Sequence, residues 1–158
     1  MIIGSDSMKK IVILLVLPVL MLLTGCERVS QGNYKEGTYM GHVTDTYGGS
    51  NQAIAVIHVS KSGQIDSVYL DTTYTKDNAV TTKKVLGNDY NMKANPAVQK
   101  EWYEQVDLME KAVVDKQGID FINWTDSEQS KTDSISGVTI KIDALYRALD
   151  SALKQAKK

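Results

Sequence analysis

Cysteine and histidine are scarce in this chain, which contains one cysteine, Cys26, and two histidines among 158 residues. A single cysteine excludes an intramolecular disulfide and any cysteine-based metal or iron–sulfur site. The histidines, His42 and His58, fall in predicted strands without a carboxylate or cysteine at a supporting spacing. We therefore interpret both as sheet residues, and the sequence predicts no metal site.

Several other signals are missing. The net charge is -1, so there is no basic excess that would favour nucleic acid binding. No Gly-x-Gly-x-x-Gly sequence follows a predicted strand, which argues against a nicotinamide site. No Ser/His/Asp arrangement can be recognised, so a hydrolase is disfavoured. No internal repeat is visible, and the length suits a single domain.

The N-terminal region has the pattern of an export signal. Residues 8–10 are Met-Lys-Lys, and the segment Ile11 to Leu23 is almost wholly apolar. That segment is too short to span a membrane unaided, so it indicates a signal peptide. Residues 23–26, Leu-Thr-Gly-Cys, resemble a lipobox, which implies cleavage before Cys26 and acylation of its thiol. Two or three acyl chains would anchor the protein stably to a membrane.

These signals divide the chain into three parts. We expect residues 1–25 to be a lipoprotein signal peptide and residues 26–36 to be a membrane tether. Residues 37–158 then form one domain, held by a lipid anchor on the extracytoplasmic face of the cell membrane.

The first half of the domain has the pattern of a β-meander. Residues 37–43, 53–59 and 65–71 are rich in strand-forming residues, and short turns separate them. The polar, threonine-rich segment 72–82 is predicted to be a loop. The fold class is therefore α+β: a small antiparallel sheet packed with a middle helix and a C-terminal helix.

Two helices are predicted after the sheet. The first begins at Asn95-Pro96 and runs to about Lys116, because apolar residues recur at three- and four-residue spacing. That stripe consists of Val98, Trp102, Val106, Met109 and Val113. The acidic residues of this helix are expected on its solvated face: Glu101, Glu104, Asp107 and Glu110. The second helix is predicted from Ile140 to Lys157, with an apolar stripe formed by Ile142, Leu145, Tyr146, Leu149 and Leu153.

The most informative stretch is residues 133–139, Asp-Ser-Ile-Ser-Gly-Val-Thr, which precedes the final predicted helix. Unpaired backbone N–H groups and the helix dipole favour a phosphate at such a position. Serine, threonine and aspartate before a helix are, however, more often simple capping residues. Local physical chemistry alone therefore favours a cap.

The order of these residues resembles the flavinylation motif of the FMN-binding domain family. That domain occurs in covalent-flavin subunits of sodium-pumping NADH:quinone reductase, in Rnf complexes and in lipoproteins of extracellular electron transfer. Asp133, Ser136, Gly137 and Thr139 match the family pattern, whereas Val138 stands where the family usually has alanine. The resemblance implies that a flavin transferase links FMN to Thr139 through a phosphoester.

The same resemblance assigns further roles. Asp133 would assist the transferase reaction or position its metal and substrate, and Ser136 and Gly137 would shape the turn and donate hydrogen bonds to the phosphate. Val138 would either pack against the flavin or hinder the transferase.

A second segment supports the resemblance. Residues 86–93 contain the pattern Leu-Gly-x-x-Tyr-x-Met-Lys, which is similar to a segment of the family's small electron-transfer lipoproteins. Tyr90 and Met92 in this segment could pack on the isoalloxazine ring, or they could simply cover the sheet.

The resulting hypothesis is a lipoprotein that carries FMN and relays electrons outside the cytoplasmic membrane, rather than a stand-alone catalyst. Its partners would be the flavin transferase and, as electron donor, a membrane quinol oxidoreductase or another flavoprotein. Two alternatives remain open: a lipoprotein that binds flavin non-covalently, and an accessory lipoprotein without flavin.

Overall fold

A four-stranded antiparallel sheet is the centre of the fold in the computed structural model, which describes residues 31–47 and 49–158. The strands are β1 (Gly37–Asp45), β2 (Asn51–Val59), β3 (Ile65–Lys76) and β4 (Ala79–Thr82), in spatial order β1-β2-β3-β4. Each strand pairs with the next one along the chain, as short turns between strands require. The predicted signal peptide and Cys26 lie outside the described residues.

In the described part of the chain, three α-helices accompany the sheet: α1 (Lys83–Leu86), α2 (Trp102–Lys116) and α3 (Asp143–Ala156). The helix α3 packs mainly on β1 and β2, and α2 packs on β3. The predicted α+β class, with a middle and a C-terminal helix on a small sheet, is therefore confirmed. No helix within residues 31–47 and 49–158 is long and apolar enough to cross a membrane.

The sheet buries one face because apolar residues alternate along its strands. In β2 the residues Ala53, Ala55, Ile57 and Val59 are fully buried, whereas their sequence neighbours are half-buried or exposed. This period of two matches the alternation of side chains across a strand. The buried row faces α3 and forms the main hydrophobic core with it.

Small residues allow α3 to approach the sheet closely. Alanines recur every four residues along the buried side of this helix: Ala144, Ala148, Ala152 and Ala156. At β1 the helix passes directly over Gly41, and a Cβ atom on Gly41 would lie only 2.0 Å from the carbonyl oxygen of Ala148. The position therefore admits no side chain.

The prediction of a loop at residues 72–82 was wrong, because this segment forms the hairpin between β3 and β4. Asp77 and Asn78 form its two-residue turn and both have positive φ, 51° and 64°. Such a turn matches the twist of paired strands, and Asp and Asn tolerate this conformation well. The threonines on either side favour strands, which the polarity of the segment obscured.

The middle helix begins at Trp102 rather than at the predicted Asn95-Pro96. The side chain of Asn95 accepts a hydrogen bond from the Ala97 N–H at 3.0 Å and so forms a local turn. The helix starts where the Glu101 N–H donates to the Glu104 carboxylate at 2.7 Å, one half of a capping box.

The C-terminal helix also begins later than predicted, at Asp143 instead of Ile140. The Ile140 N–H donates to the side chain of Gln105, and the Ile142 N–H donates to the Ser130 carbonyl at 2.8 Å. These hydrogen bonds hold residues 140–142 in an irregular connection before the first helical turn.

The prediction that the acidic residues of α2 form one solvated face was wrong for two of them. Glu101 is only 2% exposed, and the Glu110 side chain is also largely buried. The Glu110 carboxylate accepts hydrogen bonds from the Leu70 N–H at 2.6 Å and from the Lys84 ammonium at 2.7 Å. These carboxylates are tolerated inside because each is hydrogen-bonded.

An N-terminal strap, residues 32–35, packs against the domain before β1 begins. Tyr34 is buried in the core and forms a β-bridge with Lys157. The Lys35 N–H donates to the Ala156 carbonyl at 2.7 Å, and the Gly32 N–H donates to the Ser62 carbonyl at 2.7 Å. The compact unit therefore begins at Gln31, within the segment 26–36 that was predicted to be a tether.

We predict that Gly41→Ala destabilises the domain by about 1–3 kcal/mol, because the added methyl group forces α3 away from β1. Urea denaturation followed by circular dichroism measures this change. The neighbouring substitution Met40→Ala is the control, since Met40 is 57% exposed and its loss should change stability by less than about 0.5 kcal/mol. Equal midpoints for Gly41→Ala and wild type would contradict the close helix–sheet contact.

Candidate functional site

One pocket brings together Tyr90, Met92 and Thr139, which the sequence analysis selected from two distant segments, residues 86–93 and 133–139. Its volume is about 240 Å³, and its walls come from the end of β1, from α1 and the turns after it, and from the starts of α2 and α3. The volume lies below the range of about 300–1,000 Å³ that is usual for ligand sites. The pocket could therefore enclose part of a nucleotide-sized ligand and leave the rest exposed.

The segment 133–139 forms a turn that is fastened to the core at two points. Ile135 and Val138 are buried, and the Val138 N–H donates to the Ile135 carbonyl at 3.2 Å. The residues that match the family motif are instead exposed: Asp133, Ser136, Gly137 and Thr139. The turn thus presents its polar residues to solvent while its apolar residues hold it in place.

Val138 belongs to the hydrophobic core and is only 5% exposed. It does not line the pocket, and neither do Asp133, Ser136 and Gly137. Of the motif residues, the pocket contains Thr139 alone. The two methyl groups of Val138 pack inside the protein, and its contact with a ligand stays a prediction.

Gly137 is required by the backbone conformation of the turn. Its φ is 85°, in the region that residues with a Cβ atom adopt only with strain. A Cβ atom at this position would also lie 3.0 Å from Lys100 Cε and 3.1 Å from Leu108 Cδ1. The glycine therefore lets the turn run close to the side chains of α2 and its preceding segment.

Gln105 on α2 fixes the position of Thr139. Its side-chain oxygen accepts hydrogen bonds from the Thr139 N–H at 2.7 Å, the Thr139 hydroxyl at 3.2 Å and the Ile140 N–H at 3.2 Å. Its amide nitrogen donates to the Lys100 carbonyl at 3.0 Å. Gln105 is 1% exposed, so these bonds are made inside the protein, where losing a partner is costly.

The Glu101 carboxylate places the segment that carries Met92. It accepts hydrogen bonds from the Met92 N–H at 2.8 Å and from the Lys93 N–H at 3.1 Å. Tyr90, nearby in the same segment, packs edge-to-face on Tyr74 with ring centroids 5.2 Å apart. Burial is the main reason why the pKa of Tyr90 is raised, so its phenol stays neutral at physiological pH.

The charges around the pocket are mixed, with one more cation than anion. Lys83, Lys131 and Lys141 line it together with Asp45 and Asp143. The Lys141 ammonium also lies 3.0 Å from the Glu128 carboxylate, and this hydrogen bond is the main cause of its raised pKa. Three ammonium groups around one pocket suit a ligand that carries negative charge.

Sequence reasoning missed two residues of this site, Gln105 and Lys83. Gln105 lies on the buried side of α2 with Trp102, Val106 and Met109. A polar residue at helical spacing within an apolar stripe is the signal that could have identified it. No comparable pattern distinguishes Lys83, whose burial depends on how the β3–β4 hairpin returns to the sheet.

Comparisons with known proteins identify structural relatives only. No model of a protein family matches the chain, and no curated protein matches it. A solution NMR structure of a structural genomics target from Clostridium thermocellum is 29% identical, with a TM-score of 0.53, and the match covers 78% of this chain and 93% of that one. A crystal structure of a protein from Clostridium perfringens is 24% identical, with a TM-score of 0.49 and coverage of 79% and 93%.

We predict that Gln105→Leu lowers the free energy of unfolding by about 1–3 kcal/mol, because buried N–H groups lose their acceptor. Urea denaturation measures the loss, and amide hydrogen exchange should show faster exchange at Thr139. Gln99→Leu is the control, since Gln99 is an exposed glutamine just before α2. Unchanged stability together with unchanged protection of the Thr139 amide would refute the role of Gln105.

Proposed function

We propose that this protein is a membrane-anchored lipoprotein that carries FMN through a phosphoester to Thr139 and relays electrons outside the cytoplasmic membrane. The observation that carries the proposal is the pocket in which Thr139, Tyr90 and Met92 meet. These residues were selected for a flavin role from two separate segments, Thr139 from residues 133–139 and the other two from residues 86–93. Their convergence is not required by the sheet and helices alone.

The chemistry of the pocket fits FMN. Thr139 is exposed and offers a hydroxyl group for the ester bond. Lys131 and Lys141 provide positive charge for the phosphate, and Tyr90 and Met92 provide polarisable surface for a flat aromatic ring. The bound cofactor would supply the one- and two-electron chemistry, while these side chains would bind and orient it.

The attachment reaction would take place on the exposed side of the turn. A bond from Thr139 Oγ to the FMN phosphorus would form as the P–O bond to the nucleotide leaving group of an activated flavin breaks. The leaving group would depart with the bridging oxygen, and the hydroxyl proton would pass to a base of the flavin transferase. The hydroxyl donates to the Gln105 oxygen, which directs the lone pairs of Oγ away from the core. Asp133 is exposed on the same turn and remains available to the flavin transferase.

The position of Val138 supports covalent attachment over non-covalent binding. A bulky residue before Thr139 could hinder a transferase if its side chain projected into solvent. Val138 instead faces the hydrophobic core, so its methyl groups do not cover the threonine hydroxyl. This removes the physical reason for preferring the alternative of a non-covalent flavin protein.

The proposed location outside the cytoplasmic membrane explains why a covalent bond to the flavin would be an advantage. A flavin that dissociated outside the cytoplasmic membrane would be lost, whereas an ester bond retains it. A membrane quinol oxidoreductase or another flavoprotein would deliver electrons to the flavin.

We predict covalent flavin on the wild-type protein after co-expression with a flavin transferase and none on Thr139→Val, which lacks the hydroxyl nucleophile. In-gel fluorescence detects the flavin, and the peptide containing Thr139 should be heavier by the mass of FMN less one water. Thr75→Val is the control, because Thr75 is an exposed threonine on β3. A dark wild-type band, or fluorescence that persists in Thr139→Val, would refute the proposal.

We also predict that Cys26→Ala moves the protein from the membrane fraction to the soluble fraction, because the substitution removes the thiol that would be acylated. Cell fractionation and labelling with a fatty-acid analogue measure the effect. Ser30→Ala, in the same predicted tether, is the control and should stay with the membrane. Membrane association of Cys26→Ala equal to that of wild type would contradict lipid anchoring.

A further inference from the structure

A buried lysine faces the pocket without a hydrogen bond of its own. The side chain of Lys83 is 6% exposed, and its ammonium lines the pocket. The nearest carboxylate oxygen is Asp45 Oδ2 at 3.9 Å, which is beyond hydrogen-bond distance. Within residues 31–47 and 49–158 this ammonium makes no hydrogen bond, so its three donors have no protein acceptor there.

Two aromatic rings flank the same ammonium. It lies 5.2 Å from the ring centroid of Trp102 and 5.5 Å from that of Tyr90. These distances allow cation–π attraction, which stabilises the positive charge without using its hydrogen-bond donors. The ammonium is therefore held at an aromatic wall while its donors remain available to a ligand.

Burial makes this position costly for a charge. It lowers the pKa of Lys83, while the nearby carboxylates of Asp45 and Asp71 act in the opposite direction. A buried charge without hydrogen bonds costs stability, and the 3.9 Å ion pair with Asp45 and the two aromatic rings offset part of that cost. The unused donors therefore suit a ligand that carries hydrogen-bond acceptors.

We propose that Lys83 is the counter-cation for a negatively charged edge of an aromatic ring bound in the pocket. This inference rests on the proposed function, in which the ring is the isoalloxazine of the flavin on Thr139. Lys83 would pair with the single negative charge that the ring gains when it accepts two electrons and one proton from a donor such as a quinol. The lysine would thereby favour the reduced state and raise the midpoint potential.

Asp45 should have the opposite effect. Its carboxylate lines the same pocket and lies beside the Lys83 ammonium. A fixed negative charge there disfavours a negative ring edge, both directly and by offsetting the lysine. Removing the Lys83 charge should therefore lower the midpoint potential, and removing the Asp45 charge should raise it.

The test compares wild type, Lys83→Met, Lys83→Arg and Asp45→Asn after co-expression with a flavin transferase. Flavin content is first measured by absorbance, and midpoint potentials are then measured by spectroelectrochemical titration at pH 7. For Lys83→Met we expect at least a tenfold loss in the reduction equilibrium, which is 29.6 mV for a two-electron couple. Lys83→Arg should stay near wild type, and Asp45→Asn should shift to higher potential.

The possible outcomes separate this inference from the proposal on which it rests. Equal potentials in fully loaded wild type and Lys83→Met would overturn the role of Lys83 and leave flavin attachment intact. A wild-type protein without flavin would overturn both. Urea denaturation shows whether Lys83→Met is folded before its potential is compared with that of wild type. If this variant fails to fold, Asp45→Asn decides, and an unchanged potential in Asp45→Asn overturns the inference.

Discussion

The close contact between the C-terminal helix and the sheet determines where the other parts of the domain can lie. Gly41 and the alanines of α3 allow the helix backbone to approach β1 so closely that a side chain at Gly41 has no room. The segment immediately before α3 contains Thr139, which lines the pocket together with Asp45 at the end of β1 and Asp143 at the start of α3. The packing of α3 on the sheet therefore helps to fix the position of the exposed hydroxyl.

The helix α2 then ties three separate segments to this frame through polar side chains. Glu101 holds the backbone at Met92, Gln105 holds the backbone at Thr139, and Glu110 binds the Leu70 N–H of β3. Each bond is made by a buried group, so each is both costly to break and specific in geometry. The pocket is consequently formed by loops, but one helix positions those loops. Such an arrangement gives irregular segments the precision of a regular element.

The sequence predicted the parts of the structure that depend on local repetition. Strand alternation and helical spacing identified β1, β2, the first half of β3 and most of both long helices. The errors occurred where a tertiary partner overrides the local pattern. Asn95-Pro96 has the residues of a helix start, yet the helix begins where Glu104 caps the backbone of Glu101. The acidic residues of α2 are compatible with a solvated face, and only the approach of β3 and of residues 92–93 explains why Glu101 and Glu110 are buried.

The same reasoning applies to the candidate site. Thr139, Tyr90 and Met92 could be selected from motifs, but Lys83 and Gln105 act through neighbours that lie far away in the sequence. The residue type alone does not predict that either side chain is buried at the site, because lysine is normally exposed and glutamine is normally a surface residue of helices. Their contribution follows from burial, which only the assembled fold reveals.

The N-terminal strap changes how far the domain can travel from an anchor at Cys26. A tether of eleven residues, 26–36, would reach almost 40 Å at the maximum extension of about 3.3–3.6 Å per residue. Because the compact unit already begins at Gln31, only the five residues 26–30 lie between it and the proposed anchor. Five residues span at most roughly 18 Å when fully extended. In the proposed lipid-anchored form, this short linker would keep the domain next to the membrane surface. Its proposed electron-transfer partners would then have to bind it at that surface.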